Sequence, residues 1–206
     1  MRVPPPSDSA PLLILASASP RRTELLRQIG VPHRVLASAI DERRHAGESA
    51  EACVRRLARD KALHVQGLLS GVAATLPVLG ADTEVVLDDE LLGKPADRDS
   101  ALSMLARLSG RWHWVISAVA LATSGGVSCL LSRSEVQFRA LQAAECAAYW
   151  DSGEPRDKAG AYAIQGRGAL FIEQLRGSYS GVMGLPLFET AQLLTQAGVR
   201  LWGTDG

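Results

Sequence analysis

WVISAVALATSGGVSCLLSRSEVQF, residues 114–138, is the stretch on which the fold turns. Two runs rich in aliphatic and β-branched residues, 114–122 and 127–138, flank Thr123-Ser124-Gly125-Gly126, a hairpin signal, so two long strands are expected as the backbone of an antiparallel or mixed sheet. Upstream, residues 78–87 read as another strand, broken at Gly80, and Asp88-Asp89-Glu90 reads as a turn returning the chain through Leu91-Leu92. Residues 12–16 read as a short buried strand and 34–37 as a further one.

Between these runs the apolar period changes from two to 3.6. Ser19-Pro20 offers an N-cap and a proline at the first helical position, Leu25, Leu26 and Ile29 share a face, and Gly30 is placed to stop the helix. A second helix, 49–65, buries Val54, Leu57, Ala58, Ala62 and Val65 along one stripe, and Lys61 lies inside that stripe. Helices follow at 98–108, 143–150 and 187–197, the last stopped by Gly198, with a strand at 169–173. The pattern is α/β with a mixed, twisted sheet and flanking helices.

With 206 residues, 47% apolar and 21% charged, the chain can bury a sizeable core, and no run is apolar enough for a membrane span. Lysine plus arginine and aspartate plus glutamate number 22 each, so the basic surplus that non-specific nucleic-acid binding needs is missing, and neither nucleic acid nor membrane is an expected partner. Cys53, Cys129 and Cys146 are odd in number, far apart and without metal-ligand spacing, which suits buried structural thiols and a reducing, cytoplasmic setting. Residues 1–11 contain Pro4-Pro5-Pro6 and read as a flexible tail, leaving 12–206 as a single domain.

Several segments carry groups suited to phosphate chemistry. Ser17-Ala18-Ser19-Pro20-Arg21-Arg22 puts two guanidinium groups in a helix's opening turn, where the partial positive charge disfavours them unless an anion binds; two solvated surface arginines are the equal alternative. Asp82 is embedded in an apolar strand, as a metal ligand or general base would be, although an aspartate beside a glycine turn is the commoner arrangement. Lys94, between Gly93 and Pro95, is a fixed point charge or an ordinary surface lysine. Lys61 either snorkels or points into a polar site, and Glu42, in Asp41-Glu42-Arg43-Arg44, is not distinguished from its hydrated neighbours. Residues 157–166 and 177–186 are glycine-punctuated and rich in hydrogen-bonding side chains, but neither is a Walker loop or a dinucleotide fingerprint.

In order along the chain, Leu15-Ala16-Ser17-Ala18-Ser19-Pro20-Arg21-Arg22, Gly80-Ala81-Asp82-Thr83, Gly93-Lys94-Pro95, residues 157–166 and Gly184-Leu185-Pro186-Leu187 resemble the Maf family over residues 12–197. The resemblance implies two lobes around a central cleft, a homodimer, and hydrolysis of nucleoside triphosphates between the α and β phosphates with a divalent cation, Mg²⁺ or Mn²⁺. It implies that Asp82 is the proton acceptor or a metal ligand and that Glu42 helps to hold the metal. Around the triphosphate it places Ser17, Arg21, Arg22, Lys61 and Lys94.

Arg21, Thr83 and Gln165 resemble the branch of the family that acts on dTTP and UTP, which implies a role in removing non-standard or modified nucleotides; tryptophan, glutamine and glutamate at those places go with 7-methyl-GTP. An amide at 165 can donate to and accept from a uracil-type edge, whereas a glutamate suits a cationic base. The other readings are a pyrophosphatase for 7-methyl-GTP or another modified nucleotide, and a nucleotide-binding regulator of cell division. Four positions depart from the family pattern: Glu84 replaces an aliphatic residue, Ser117-Ala118 a Thr-Gly, and Gly181 an asparagine.

Overall fold

A computed structural model describes residues 11–201, so the expected tail lies, apart from Pro11, outside the described residues. Among these, seven strands form one mixed sheet: β1 (Leu13–Leu15), β2 (His33–Val35), β3 (Val78–Leu87), β4 (Glu90–Leu92), β5 (Trp112–Thr123), β6 (Gly126–Phe138) and β7 (Ile172–Arg176). Their order is β2-β1-β3-β5-β6-β7, with β4 beside β3. Parallel pairs (β1 with β2 and β3) coexist with antiparallel ones (β3 with β4, β6 with β7). Among the described residues six α-helices accompany them: α1 (Pro20–Gln28), α2 (Ala50–Leu68), α3 (Arg98–Leu108), α4 (Ala143–Asp151), α5 (Tyr179–Met183) and α6 (Leu187–Gln196).

The described residues form two compact units, one from 11–82, 118–131 and 184–201, the other from 83–117 and 132–183. The first, within the described residues, holds β1, β2, α1, α2 and α6. Ser49 caps α2 by accepting from the Ala52 N–H, and the stripe Cys53, Val54, Leu57, Ala58, Lys61, Ala62 and Val65 is buried. The expected break of β3 at Gly80 does not occur. A Cβ at Gly80 would stand 2.1 Å from the Ala58 carbonyl oxygen, so the glycine lets α2 lie directly on the strand.

The second unit packs α3 and α4 over a core of Val85, Leu87, Leu105, Val115, Val136 and Phe138, among others. Asp97 caps α3 through the Ser100 N–H. Asp88 and Asp89, with φ of 52° and 64°, make the tight left-handed turn that reverses β3 into β4. Phe138, Tyr162 and His113 meet edge to face, with ring centroids 4.8–5.4 Å apart. The strand expected at 169–173 is displaced to Ile172–Arg176, because Gly166–Phe171 closes as a 3-10 turn. Arg139 draws that turn in, its side chain donating to the Leu170 carbonyl and its N–H to that of Phe171, while the Leu170 side chain stays 73% exposed.

Candidate active site

In the first unit, β1 ends at Leu15 and hands the chain to Ser17 and the start of α1. No side chain caps α1 and no acidic residue lies in its first turn. Of the two arginines there, Arg22 turns inward: Nη1 donates to Ser17 Oγ (2.9 Å) and Nε to the Gly184 carbonyl (2.8 Å). Burial pulls its guanidinium below the ordinary value and Arg21 acts the same way, against the opposing fields of Asp82 and Glu42. The solvated-pair alternative therefore does not describe Arg22. Arg21 is half-buried.

Asp82 is buried on β3, and Lys61 is buried on α2, one helix turn beyond the stripe residue Leu57. Lys61 Nζ lies 2.8 Å from Asp82 Oδ1 and 3.0 Å from Glu42 Oε2, so one ammonium joins two carboxylates from distant segments. Glu42 is half-exposed, whereas the Lys61 and Asp82 side chains are 6% and 8% accessible, so the cation's pairing with Asp82 is the desolvated one. The second carboxylate oxygen, Asp82 Oδ2, is buried and has no hydrogen-bond partner. A carboxylate left with an unused buried oxygen is costly in a structural ion pair and suits a group that must accept a proton or a cation.

The second unit carries Thr83, Lys94 and Gln165. Thr83 Oγ1 lies 2.7 Å from Ser117 Oγ, and Ser117 Oγ donates to the Gly181 carbonyl at 2.7 Å. A serine has one hydroxyl proton, so Thr83 must donate to Ser117 and presents only acceptor lone pairs elsewhere. Two of the positions that depart from the family pattern are thus linked to Thr83 in a chain: Ser117 is its partner, and Gly181 is the partner of Ser117. Exposed Lys94 sits in a loop tied to the 157–166 segment by the Gly160 N–H donating to the Gly93 carbonyl (3.1 Å). Gln165 is half-buried, and its Oε1 is buried without a partner.

The sequence matches the family described as Maf-like protein over residues 12–197. The chain belongs to the Maf family. It is 55% identical over 187 residues to a dTTP/UTP pyrophosphatase of Methylococcus capsulatus, covering 91% of each chain. Similar proteins of the same name from Methylobacillus flagellatus (53% identity, 94% of this chain and 96% of that one) and Saccharophagus degradans (48%, 95% and 93%) agree. Of the positions that the Maf resemblance singled out, the fold brings Glu42, Lys61 and Asp82 into one cluster and joins Ser17 to Arg22. Sequence reasoning missed Ser117 as the partner of Thr83, and it missed Glu154 and Tyr149, which brace the Gln165 segment. The only available signal for Glu154 was Gly153-Glu154-Pro155 just ahead of a glycine-punctuated loop.

Proposed function

We propose that this chain hydrolyses dTTP and UTP to the nucleoside monophosphate and pyrophosphate, and that it serves to remove non-standard or modified nucleotides. The observation that carries the mechanism is the buried, unpartnered Asp82 Oδ2 beside the Lys61 bridge to Glu42. Relatives at 48–55% identity that are named dTTP/UTP pyrophosphatase support the substrate class over 7-methyl-GTP or a purely regulatory role.

Hydrolysis of a phosphoanhydride needs a water deprotonated as it attacks, an in-line geometry, and neutralisation of charge on the departing pyrophosphate. Asp82 would take the proton on Oδ2 while Lys61 holds Oδ1, which fixes the carboxylate's orientation and compensates its charge. Ser17 and the arginines at the start of α1 would bind phosphate oxygens, with Arg22 locked by Ser17 and Gly184 and Arg21 projecting from the same turn. Lys94 would add a further positive charge for the leaving group.

The residues also fit a divalent cation. Asp82 and Glu42 give an all-oxygen pair, and no cluster of three or more His, Cys, Asp or Glu exists among the described residues. Two carboxylates with the remaining positions left to phosphate and water is the usual donor set for Mg²⁺ or Mn²⁺. Held there, the metal would neutralise phosphate charge and acidify a nearby water. The proposal further takes the chain to be cytoplasmic and homodimeric. No helix among the described residues is long and apolar enough to cross a membrane.

Purified protein with Mg²⁺ or Mn²⁺ and a panel of dTTP, UTP, CTP and 7-methyl-GTP tests this reading. Pyrophosphate and monophosphate should appear from dTTP and UTP, and Asp82→Asn should lower the rate at least about 100-fold. Orthophosphate with a nucleoside diphosphate, or an undiminished Asp82→Asn enzyme, refutes it.

A further inference from the structure

The segment carrying Gln165 is pinned by two side chains that the proposed reaction does not use. Glu154 Oε1 accepts from the Tyr149 hydroxyl (2.8 Å) and the Gly168 N–H (3.0 Å), and Oε2 accepts from the Arg167 N–H (3.0 Å). Having donated to Glu154, the Tyr149 hydroxyl accepts from the Ala163 N–H at 3.1 Å. Backbone is therefore fixed two residues before Gln165 and again two and three residues after it.

Two glycines record how close the braces come. A Cβ on Gly166, where φ is +81°, would stand 2.6 Å from Glu154 Oε2, and one on Gly168 would stand 2.8 Å from the Tyr149 hydroxyl. Burial pushes the Glu154 carboxyl upward, yet donation from Arg167, Gly168 and Tyr149 leaves it below the usual carboxylate range, so the brace is charged at neutral pH. Between the pinned ends stands the unpartnered, buried Gln165 Oε1. A buried amide oxygen without a donor is unfavourable. The brace thus holds in place an acceptor whose donor the fold does not supply.

We infer that Glu154 and Tyr149 are positioning residues for base selection, holding Gln165 so that Oε1 meets the ring N–H of a uracil or thymine base and Nε2 its neighbouring carbonyl. This rests on the dTTP/UTP reading. Cytosine offers a lone pair where uracil offers that N–H, so a fixed amide discriminates and a loose one reorients.

Steady-state kinetics on the full chain with UTP and CTP, for wild type, Tyr149→Phe, Glu154→Gln and Gln165→Ala, test the inference. Tyr149→Phe keeps the ring and removes only the hydroxyl. It should raise KM for UTP and lower the UTP-over-CTP ratio of kcat/KM about tenfold with kcat nearly unchanged, and it should speed amide exchange at Ala163. In a Gln165→Ala background the same change should leave the ratio where Gln165→Ala alone put it. A ratio that survives Tyr149→Phe, or equal losses on both nucleotides, overturns the inference while leaving pyrophosphatase activity standing. A wild-type enzyme inactive on UTP and dTTP refutes the reading beneath it as well. Should Glu154→Gln fail to fold, Tyr149→Phe decides alone.

Discussion

Lys61 shows how much a single side chain can commit. Its ammonium is buried between Asp82 and Glu42, and its stem runs along the apolar stripe of α2. Lys61→Met would keep the stem and strand the Asp82 carboxylate without its cation. Breaking a buried pair from one side costs about 3–5 kcal/mol, so urea denaturation should show a loss of that size, largely recovered in the Lys61→Met/Asp82→Asn double variant. A loss below about 1 kcal/mol would mean that solvent reaches the pair. The half-exposed Glu42 should matter less, with Glu42→Gln costing under about 1 kcal/mol. Lys61 was legible in the sequence because a cation interrupts an apolar period. Glu42 was not, since Asp41, Arg43 and Arg44 surround it with equivalent charge, and only the fold separates Asp41, paired with Arg43, from Glu42, paired with Lys61. Nor could sequence say which arginine of α1 turns inward, because that depends on where the Gly184 carbonyl arrives from 162 residues away.

At the level of elements, α2 lies on β3 through Gly80, and this contact places Lys61 over Asp82. Gly80→Ala would put a Cβ 2.1 Å from the Ala58 carbonyl oxygen and 2.8 Å from the Ala62 N–H, backbone atoms on both sides, so helix and strand must separate. We expect a loss of about 3 kcal/mol or more in thermal or chemical denaturation, together with reduced activity as the Lys61–Asp82 distance grows. An alanine variant of wild-type stability would contradict that close approach. Helix limits were the most readable part of the chain: α3 spans Arg98–Leu108 as its pattern predicts, and α1 and α6 end beside Gly30 and Gly198, both at positive φ. The strand predicted at 169–173 failed because apolar letters alone do not reveal that Arg139 will bind the Leu170 carbonyl and close a turn there. Gly80 was noticed for a flexibility it does not express; its missing side chain is what the structure uses.

For the whole molecule, the core of the second unit sets an acid limit on stability. His113 is 2% exposed among Phe138 and Tyr162, and its Nε2 lies 2.8 Å from the Tyr162 hydroxyl. Burial pushes its pKa down from 6.5 to about 4, against a smaller opposing contribution from the Arg111 backbone. A depressed folded-state value means that the neutral ring's contribution is fully present above pH 6.5 and is lost as pH falls towards 4, about 3 kcal/mol in all. Denaturation midpoints should fall across that window in wild type and stay flatter in His113→Phe. A parallel decline in both would assign the acid sensitivity to other groups. At still lower pH the carboxyls of Asp41, Glu48 and Glu145, each held to about 2 by an arginine, are protonated as well. The division of the chain into interleaved segments bears on its synthesis. Everything that builds the second unit, 83–117 and 132–183, precedes α6 in the chain, whereas the first unit draws on α6 as well as on residues before 83. The contact of Arg22 with the Gly184 carbonyl therefore cannot form until 162 further residues have been joined to the chain, every segment of the second unit among them.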